Sequence, residues 1–209
     1  MHMKWMKAFG ALVLVTLIPA AARAQTDIAG NFYNTLTTKS VTGNGITQTS
    51  TNSVGGMLEL RHIKTPWIGY EFTYSLNPDN QTVTPVKGSC GYFCGNPTES
   101  LSVKNSAFSL DWVISRQYGH LRPFVVGGFG FTVAVSSGIN GTYLNTPVKP
   151  TYVAGGGADW DLGSRLGIRL QYRENIFTAP HFDPAYPNTG RFTPEGQPMV
   201  GVYYRFNRL

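Results

Sequence analysis

Ten charged side chains, five carboxylates and five guanidiniums, carry most of the chemistry open to this 209-residue chain. They are Glu59, Glu71, Asp111, Asp159 and Asp161, set against Arg61, Arg122, Arg169, Arg173 and Arg205. Each falls in a run where alternate residues are apolar, and each occupies the polar parity of its run. Lysine is absent from this set; Lys39, Lys64, Lys87 and Lys149 stand in or beside connecting segments. The chemistry such a set supports is ion pairing away from water. Charges removed from solvent need partners, and the planar guanidinium fork matches a carboxylate.

Other reactive types are sparse. Cys90 and Cys94 form C-x3-C. In an oxidising compartment a disulfide is favoured, closing a ring too short to add much stability. A metal site is the alternative, but no histidine lies near enough in sequence to complete the ligands. Beyond the N-terminal region the histidines are His62, His120 and His181, the last close to Asp183. A lipase or deacylase built on a barrel would need Ser, His and an acid within hydrogen-bond reach, and no run places His and Ser two apart on one apolar face. His62 and His120 read as strand-end residues and His181 as a loop residue. Gly155-Gly156-Gly157 precedes no helix, so it is no phosphate loop. Neither a catalytic residue, a cofactor nor a metal is expected.

The elements that must position these charges are strands. The run Trp67 to Leu76, WIGYEFTYSL, is the template. Ile68, Tyr70, Phe72, Tyr74 and Leu76 fall on one face and Gly69, Glu71, Thr73 and Ser75 on the other, as strand side chains alternate. Comparable runs cover Ile28 to Val41, Val54 to Ile63, a stretch ending at Ile114, Arg122 to Val135, Thr151 to Leu162, Arg165 to Phe177 and Met199 to Phe206. That makes eight strands near the length that crosses a bilayer when tilted. Between them, long polar segments (Thr42 to Ser53, Asn77 to Ser100, Ser136 to Pro150, Thr178 to Gln197) alternate with short turns (Lys64 to Trp67, Ser115 to Leu121, Gly163-Ser164).

Met1 to Ala24 has the form of a signal peptide: Lys4 and Lys7, an apolar stretch Ala8 to Ile18, then Ala22-Arg23-Ala24 before Gln25. The apolar stretch is shorter than the roughly 20 residues a spanning helix needs. Loss of Lys4, Lys7 and Arg23 lowers the formal charge from +6 to +3, and no basic cluster interleaved with aromatics suggests nucleic acid. The expected organisation is residues 1–24 as signal and 25–209 as one domain. Charged residues are 13% of the chain, against about 25% in soluble domains, so an exported chain this poor in charge faces something other than water.

Two closed architectures fit alternating strands. A lipocalin-like barrel turns its apolar face inward around a ligand; an outer-membrane barrel turns it outward to lipid. The polar face lacks lysine and is otherwise Gly, Ser, Thr and Ala, which suits a narrow interior packed around ion pairs. Trp67, Trp112, Trp160, Tyr172 and Tyr204 sit where interfacial aromatic girdles would fall. Loop lengths sort long and short to opposite ends, as external loops and periplasmic turns do. These features select the membrane architecture: an all-β, closed, eight-stranded antiparallel transmembrane barrel.

The amphipathic strands, the charged inner face and the closing MVGVYYRF resemble the small eight-stranded outer-membrane barrels, the OmpA transmembrane domain and OmpX among them. The resemblance spans the chain after the signal peptide. It implies a bacterial outer-membrane location, with membrane lipid and lipopolysaccharide as surroundings and a monomeric state. It also implies recognition by the barrel assembly machinery through alternate terminal aromatics, matched by Tyr204 and Phe206, although Asn207-Arg208-Leu209 follow. An eight-stranded barrel has an interior just wide enough for side chains to fill, so ten charges there would plug it. The expected role is structural or surface interaction through the long loops, with a narrow solute pore as the alternative.

Overall fold

The computed structural model describes residues 24–37, 40–41, 47–50, 52–65, 67–84, 99–136, 146–178 and 192–206. The strands in chain order are β1 (Gln25–Asn34), the short β2 (Leu36–Thr37), β3 (Ser40–Val41) and β4 (Thr47–Ser50), then β5 (Val54–Ile63), β6 (Ile68–Thr84), β7 (Glu99–Ser115), β8 (Leu121–Ser136), β9 (Val148–Asp161), β10 (Leu166–Thr178) and β11 (Phe192–Arg205). The eight long strands pair in the ring β1-β5-β6-β7-β8-β9-β10-β11, closed by β11 on β1, every pairing antiparallel. Closure removes the free edges that an open sheet would expose.

Alternation decides which side of the wall each residue occupies. On β6, Glu71 is 0% exposed while Phe72 beside it is 48% exposed. Ile28, Phe32, Leu58, Leu60, Leu110, Val125, Phe129, Leu170, Val200 and Val202 all stand outward. Such a continuous apolar exterior is tolerable only against an apolar solvent.

The two ends of the barrel differ. At the turn end, Lys64 and Thr65 both donate their N–H groups to the Ile68 carbonyl, at 3.1 and 3.2 Å. Leu162 and Gly163 donate to the Leu166 carbonyl at 3.0 and 3.2 Å. Between β7 and β8, Tyr118 and Leu121 exchange backbone hydrogen bonds around Gly119, whose φ of +59° is the left-handed region that glycine enters without penalty. The other end carries the longer connections.

Strand lengths depart from the sequence expectation at this loop end. The segment Asn77 to Ser100, expected as loop, is strand at both of its described ends, 77–84 and 99–100: the β6–β7 ladder continues from Asn77↔Asn105 to Val83↔Glu99. Eight residues at about 3.3 Å each carry β6 roughly 26 Å beyond Leu76. Likewise β11 begins at Phe192 and β9 at Val148, within segments expected as loops. The first strand is shifted the other way. It begins at Gln25 and stops at Asn34, not Val41. Its ladder with β11 ends at Tyr33↔Met199, and the next residue of β11 is Pro198, which has no N–H to give. The Thr35 N–H turns to the Ser53 carbonyl at 2.8 Å instead, and pairing resumes as β2 against Glu195 and Gly196.

Candidate functional site in the barrel lumen

The interior-facing positions converge on an ion-pair network. Some partners are brought together by register alone: Arg61 stands opposite Glu71, and Arg169 opposite Asp159. The Arg61 Nη2 lies 2.8 Å from Glu59 Oε1 and 2.7 Å from Glu71 Oε2. The Arg169 Nε donates to Asp159 Oδ1 at 2.7 Å, its Nη2 to Asp27 Oδ1 at 3.1 Å, and its Nη1 to Glu59.

Other pairs cross the lumen. Arg61 on β5 reaches Asp159 on β9 at 3.3 Å, and Arg173 on β10 reaches Glu71 on β6 at 3.1 Å. Each of these strand pairs is four places apart in a ring of eight, on opposite walls. Arg173 also engages Asp111 and donates to Ser109 Oγ at 2.6 Å. The side chains of Arg61, Arg169 and Arg173 are at most 1% exposed. Charged hydrogen bonds of this kind are about twice as strong as neutral ones, and removing one partner would strand the other in a dry interior.

Nine of the ten sequence-derived charges are buried inside the barrel, and Asp161 stands half-buried at the turn end. Two details depart from expectation. The strand pattern pairs Arg122 with an acid, but among the described residues no carboxylate lies at ion-pair distance; its Nε donates to Gln117 Oε1 at 2.6 Å. Asp27 also belongs to the network, because the first strand begins at Gln25, three residues before Ile28. The signal was present: Asp27, Ala29, Asn31 and Tyr33 alternate with Ile28, Gly30 and Phe32.

The inner face is also less uniformly small and polar than expected. Ile63, Val113, Phe124 and Val126 form a buried apolar cluster, and Tyr33, Met57 and Met199 form another. The Phe124 ring lies 4.0 Å beneath the Arg61 guanidinium and 5.5 Å from that of Arg169, an arrangement in which the ring face attracts the cation. Tyr203 lies between the guanidiniums of Arg169 and Arg205, each 5.3 Å from its ring, and donates its hydroxyl to Asp161.

The aromatics predicted to form girdles all face outward. Trp67, Trp112, Trp160, Tyr204 and Phe206 gather at the turn end; Tyr172 lies nearer the loop end, where Tyr74 stacks on Phe108 at 4.6 Å. His62 shares a 2.9 Å hydrogen bond with Thr26 Oγ1 and lies 5.1 Å from Tyr70. His120 is exposed in the β7–β8 turn. Cys90, Cys94, His181, Asp183, the segment expected as a signal peptide through Arg23, and the terminal Asn207-Arg208-Leu209 lie outside the described residues. Among the described residues, no group of three or more His, Cys, Asp or Glu side chains is placed to hold a metal ion.

No family model matches the chain, and no curated protein matches it in sequence. Solved structures do match. OprG from Pseudomonas aeruginosa, an outer-membrane protein, superposes with a TM-score of 0.64 at 15% identity, covering 88% of this chain and 97% of that one. The fold is that of the small outer-membrane β-barrels. Ail, the attachment invasion locus protein of Yersinia pestis, in complex with the heparin analogue sucrose octasulfate, matches at TM-score 0.55 and 16% identity over 88% of this chain and 99% of that one. Neisserial surface protein A matches at 0.54 and 8% over 88% and 97%. At these identities the likeness carries the architecture and leaves the role to this barrel's own residues.

Proposed function

We propose that the protein is an integral barrel of the bacterial outer membrane with a plugged lumen. In this reading it acts structurally or through the segments at its loop end, in surface interaction and envelope integrity, and it is not an enzyme. The observation that carries the reading is the pair of guanidinium bridges between opposite walls, Arg61 to Asp159 and Arg173 to Glu71. A solute path needs a continuous wet lumen, and these side chains occupy it with buried, mutually satisfied charges. The apolar exterior supports insertion in lipid, with the turn end periplasmic and the loop end external, as in barrels of this fold. Trp67, Trp112, Trp160, Tyr204 and Phe206 would then sit at the periplasmic interface, and Tyr172 towards the external one. In the same reading the barrel is monomeric, surrounded by lipid and lipopolysaccharide, and delivered by the barrel assembly machinery through its last strand. The segment up to Ala24 is removed on export, and Cys90 and Cys94 are oxidised.

The test is fractionation and gel migration. The mature chain should sediment with the outer membrane and migrate differently when boiled and unboiled. Recovery from the soluble periplasm without detergent would overturn the reading in favour of a ligand-binding soluble barrel.

A further inference from the structure

The turn-end mouth of the lumen differs from its centre. At the centre each guanidinium is met by at least two carboxylates. At the mouth there is one carboxylate, Asp161, for two guanidiniums: it pairs with Arg205, and Arg122 has none at ion-pair distance among the described residues. Arg205 grips it with Nη2 and Nη1 at 2.9 and 3.1 Å. Asp159, opposite Arg122 in register, is already held by Arg169 and Arg61, and Asp27, opposite Arg205, by Arg169.

The unmet hydrogen-bonding capacity at the mouth is donor capacity. Arg122 is 5% exposed and, among the described residues, its Nη1 has no partner. Arg205 is 4% exposed and its Nε has none among them either. The hydroxyl of the buried Ser115, at the end of β7, is likewise unpaired. A guanidinium donates and cannot accept, so the chemistry that completes this mouth is a guest made of acceptors. A cation or a neutral donor would leave the two guanidiniums as they are.

A neutral side chain now covers the position. Gln117 stands on the exposed connection between β7 and β8, its Oε1 accepting from Arg122 Nε at 2.6 Å. Its Nε2 donates to the Gly119 carbonyl at 2.6 Å and to Asp161 Oδ2 at 3.4 Å. Arg205, Asp161, Gln117 and Arg122 therefore form one chain across the mouth. The Gln117 carboxamide can swing away without breaking any strand pairing, and its oxygen occupies the place that a charged oxygen would take with greater strength.

We propose that this mouth is a binding site for a small oxyanion of the phosphate class. Arg122 and Arg205 supply the charge and the fork geometry suited to phosphate, Ser115 adds a donor, and Gln117 is the displaceable cap. The site does not depend on the barrel's location or on whether its centre conducts.

The test is the 31P line width of inorganic phosphate titrated with the full chain in detergent micelles. Saturable broadening is expected, competed by sulfate and not by chloride at matched ionic strength. Gln117→Ala should tighten binding several-fold by removing the internal competitor. Gln117→Glu should abolish it, because its own carboxylate would then sit on Arg122. Arg122→Gln should abolish it, and the exposed Arg165→Gln at the same end should leave it unchanged. Absence of broadening with the wild-type chain would overturn the proposal, since water would then be the acceptor. So would equal losses in Arg122→Gln and Arg165→Gln. If Arg122→Gln fails to fold, Gln117→Glu decides: undiminished phosphate binding in that variant sinks the site.

Discussion

At the scale of single residues, the energetic weight of this molecule sits on a few inward-facing arginines. Arg169 contacts Asp27, Glu59 and Asp159, all fully buried with it. Arg169→Ala leaves Asp27 without an ion-pair partner among the described residues and takes one guanidinium from Glu59 and Asp159, which keep Arg61; breaking a buried pair costs about 3–5 kcal/mol. Lys64, exposed in the β5–β6 turn, is the control, because an exposed charge contributes about 0–1 kcal/mol. Urea unfolding in detergent should separate Arg169→Ala from Lys64→Ala by several kcal/mol; similar small losses would mean that the lumen is wet enough to screen its charges. Gly167 makes a different demand. A Cβ there would overlap the Tyr203 ring, its hydroxyl and the Trp160 carbonyl, whereas one at Gly30 meets nothing within 4 Å. Overpacking of this kind costs about 1–3 kcal/mol. The heat-denaturation midpoint on gels should therefore fall for Gly167→Ala and hold for Gly30→Ala.

At the scale of elements, the outward apolar face of each strand was legible because lipid imposes the contrast that period two records. Ile68, Phe72 and Leu76 are outward, and Glu71, Thr73 and Ser75 inward, as the alternation reads. That contrast disappears beyond the apolar belt. The β6–β7 extension from Asn77 to Thr84 is joined by backbone hydrogen bonds between polar segments, so no pattern marks it. Pro78, Asn77 and Asn80 suggest a loop instead. Asp27 is a different case, one residue before the expected strand boundary at Ile28 in a run whose alternation does read, and the inward Phe124 has apolar neighbours in sequence that blur its parity. Arg122 faces inward as parity reads, but its partner is Gln117, because parity fixes direction and says nothing of which acids are already engaged. The extension has a direct test. With Cys90 and Cys94 replaced by serine, Asp79→Cys and Val103→Cys, register partners on β6 and β7, should oxidise spontaneously to a disulfide. Partners in an antiparallel pair stand about 4.5–5.5 Å apart at Cα, within disulfide range. Asp79→Cys with Leu101→Cys, two residues out of register, should not. Equal oxidation of both pairs would return the segment to an unpaired loop.

At the scale of the whole molecule, the question is whether eight strands enclose a path or a plug. The ring size sets an interior that side chains can fill, and this chain fills it with charge pairs anchored on opposing walls and two apolar clusters. Closing a barrel around ionised groups makes sense energetically only if each group finds its partners inside. The central arginines do, with Phe124 beneath two of them. A plug of that kind can be opened without stranding a charge. Asp111 has Arg173 as its sole ion-pair partner among the described residues, and Glu71 keeps Arg61 when Arg173 is lost. The double substitution Asp111→Ala/Arg173→Ala therefore removes a bridge between β10 and the β6–β7 wall while leaving the remaining acids paired. In planar bilayers the wild-type barrel should give no regular conductance steps, and the double variant should give small ones while keeping its heat-modifiable migration. The single variant Arg173→Ala should be the less stable of the two, since it leaves Asp111 buried and unpaired. Wild-type steps as large as those of the double variant would show that the network does not obstruct the lumen, and the narrow-pore function would then replace the structural one.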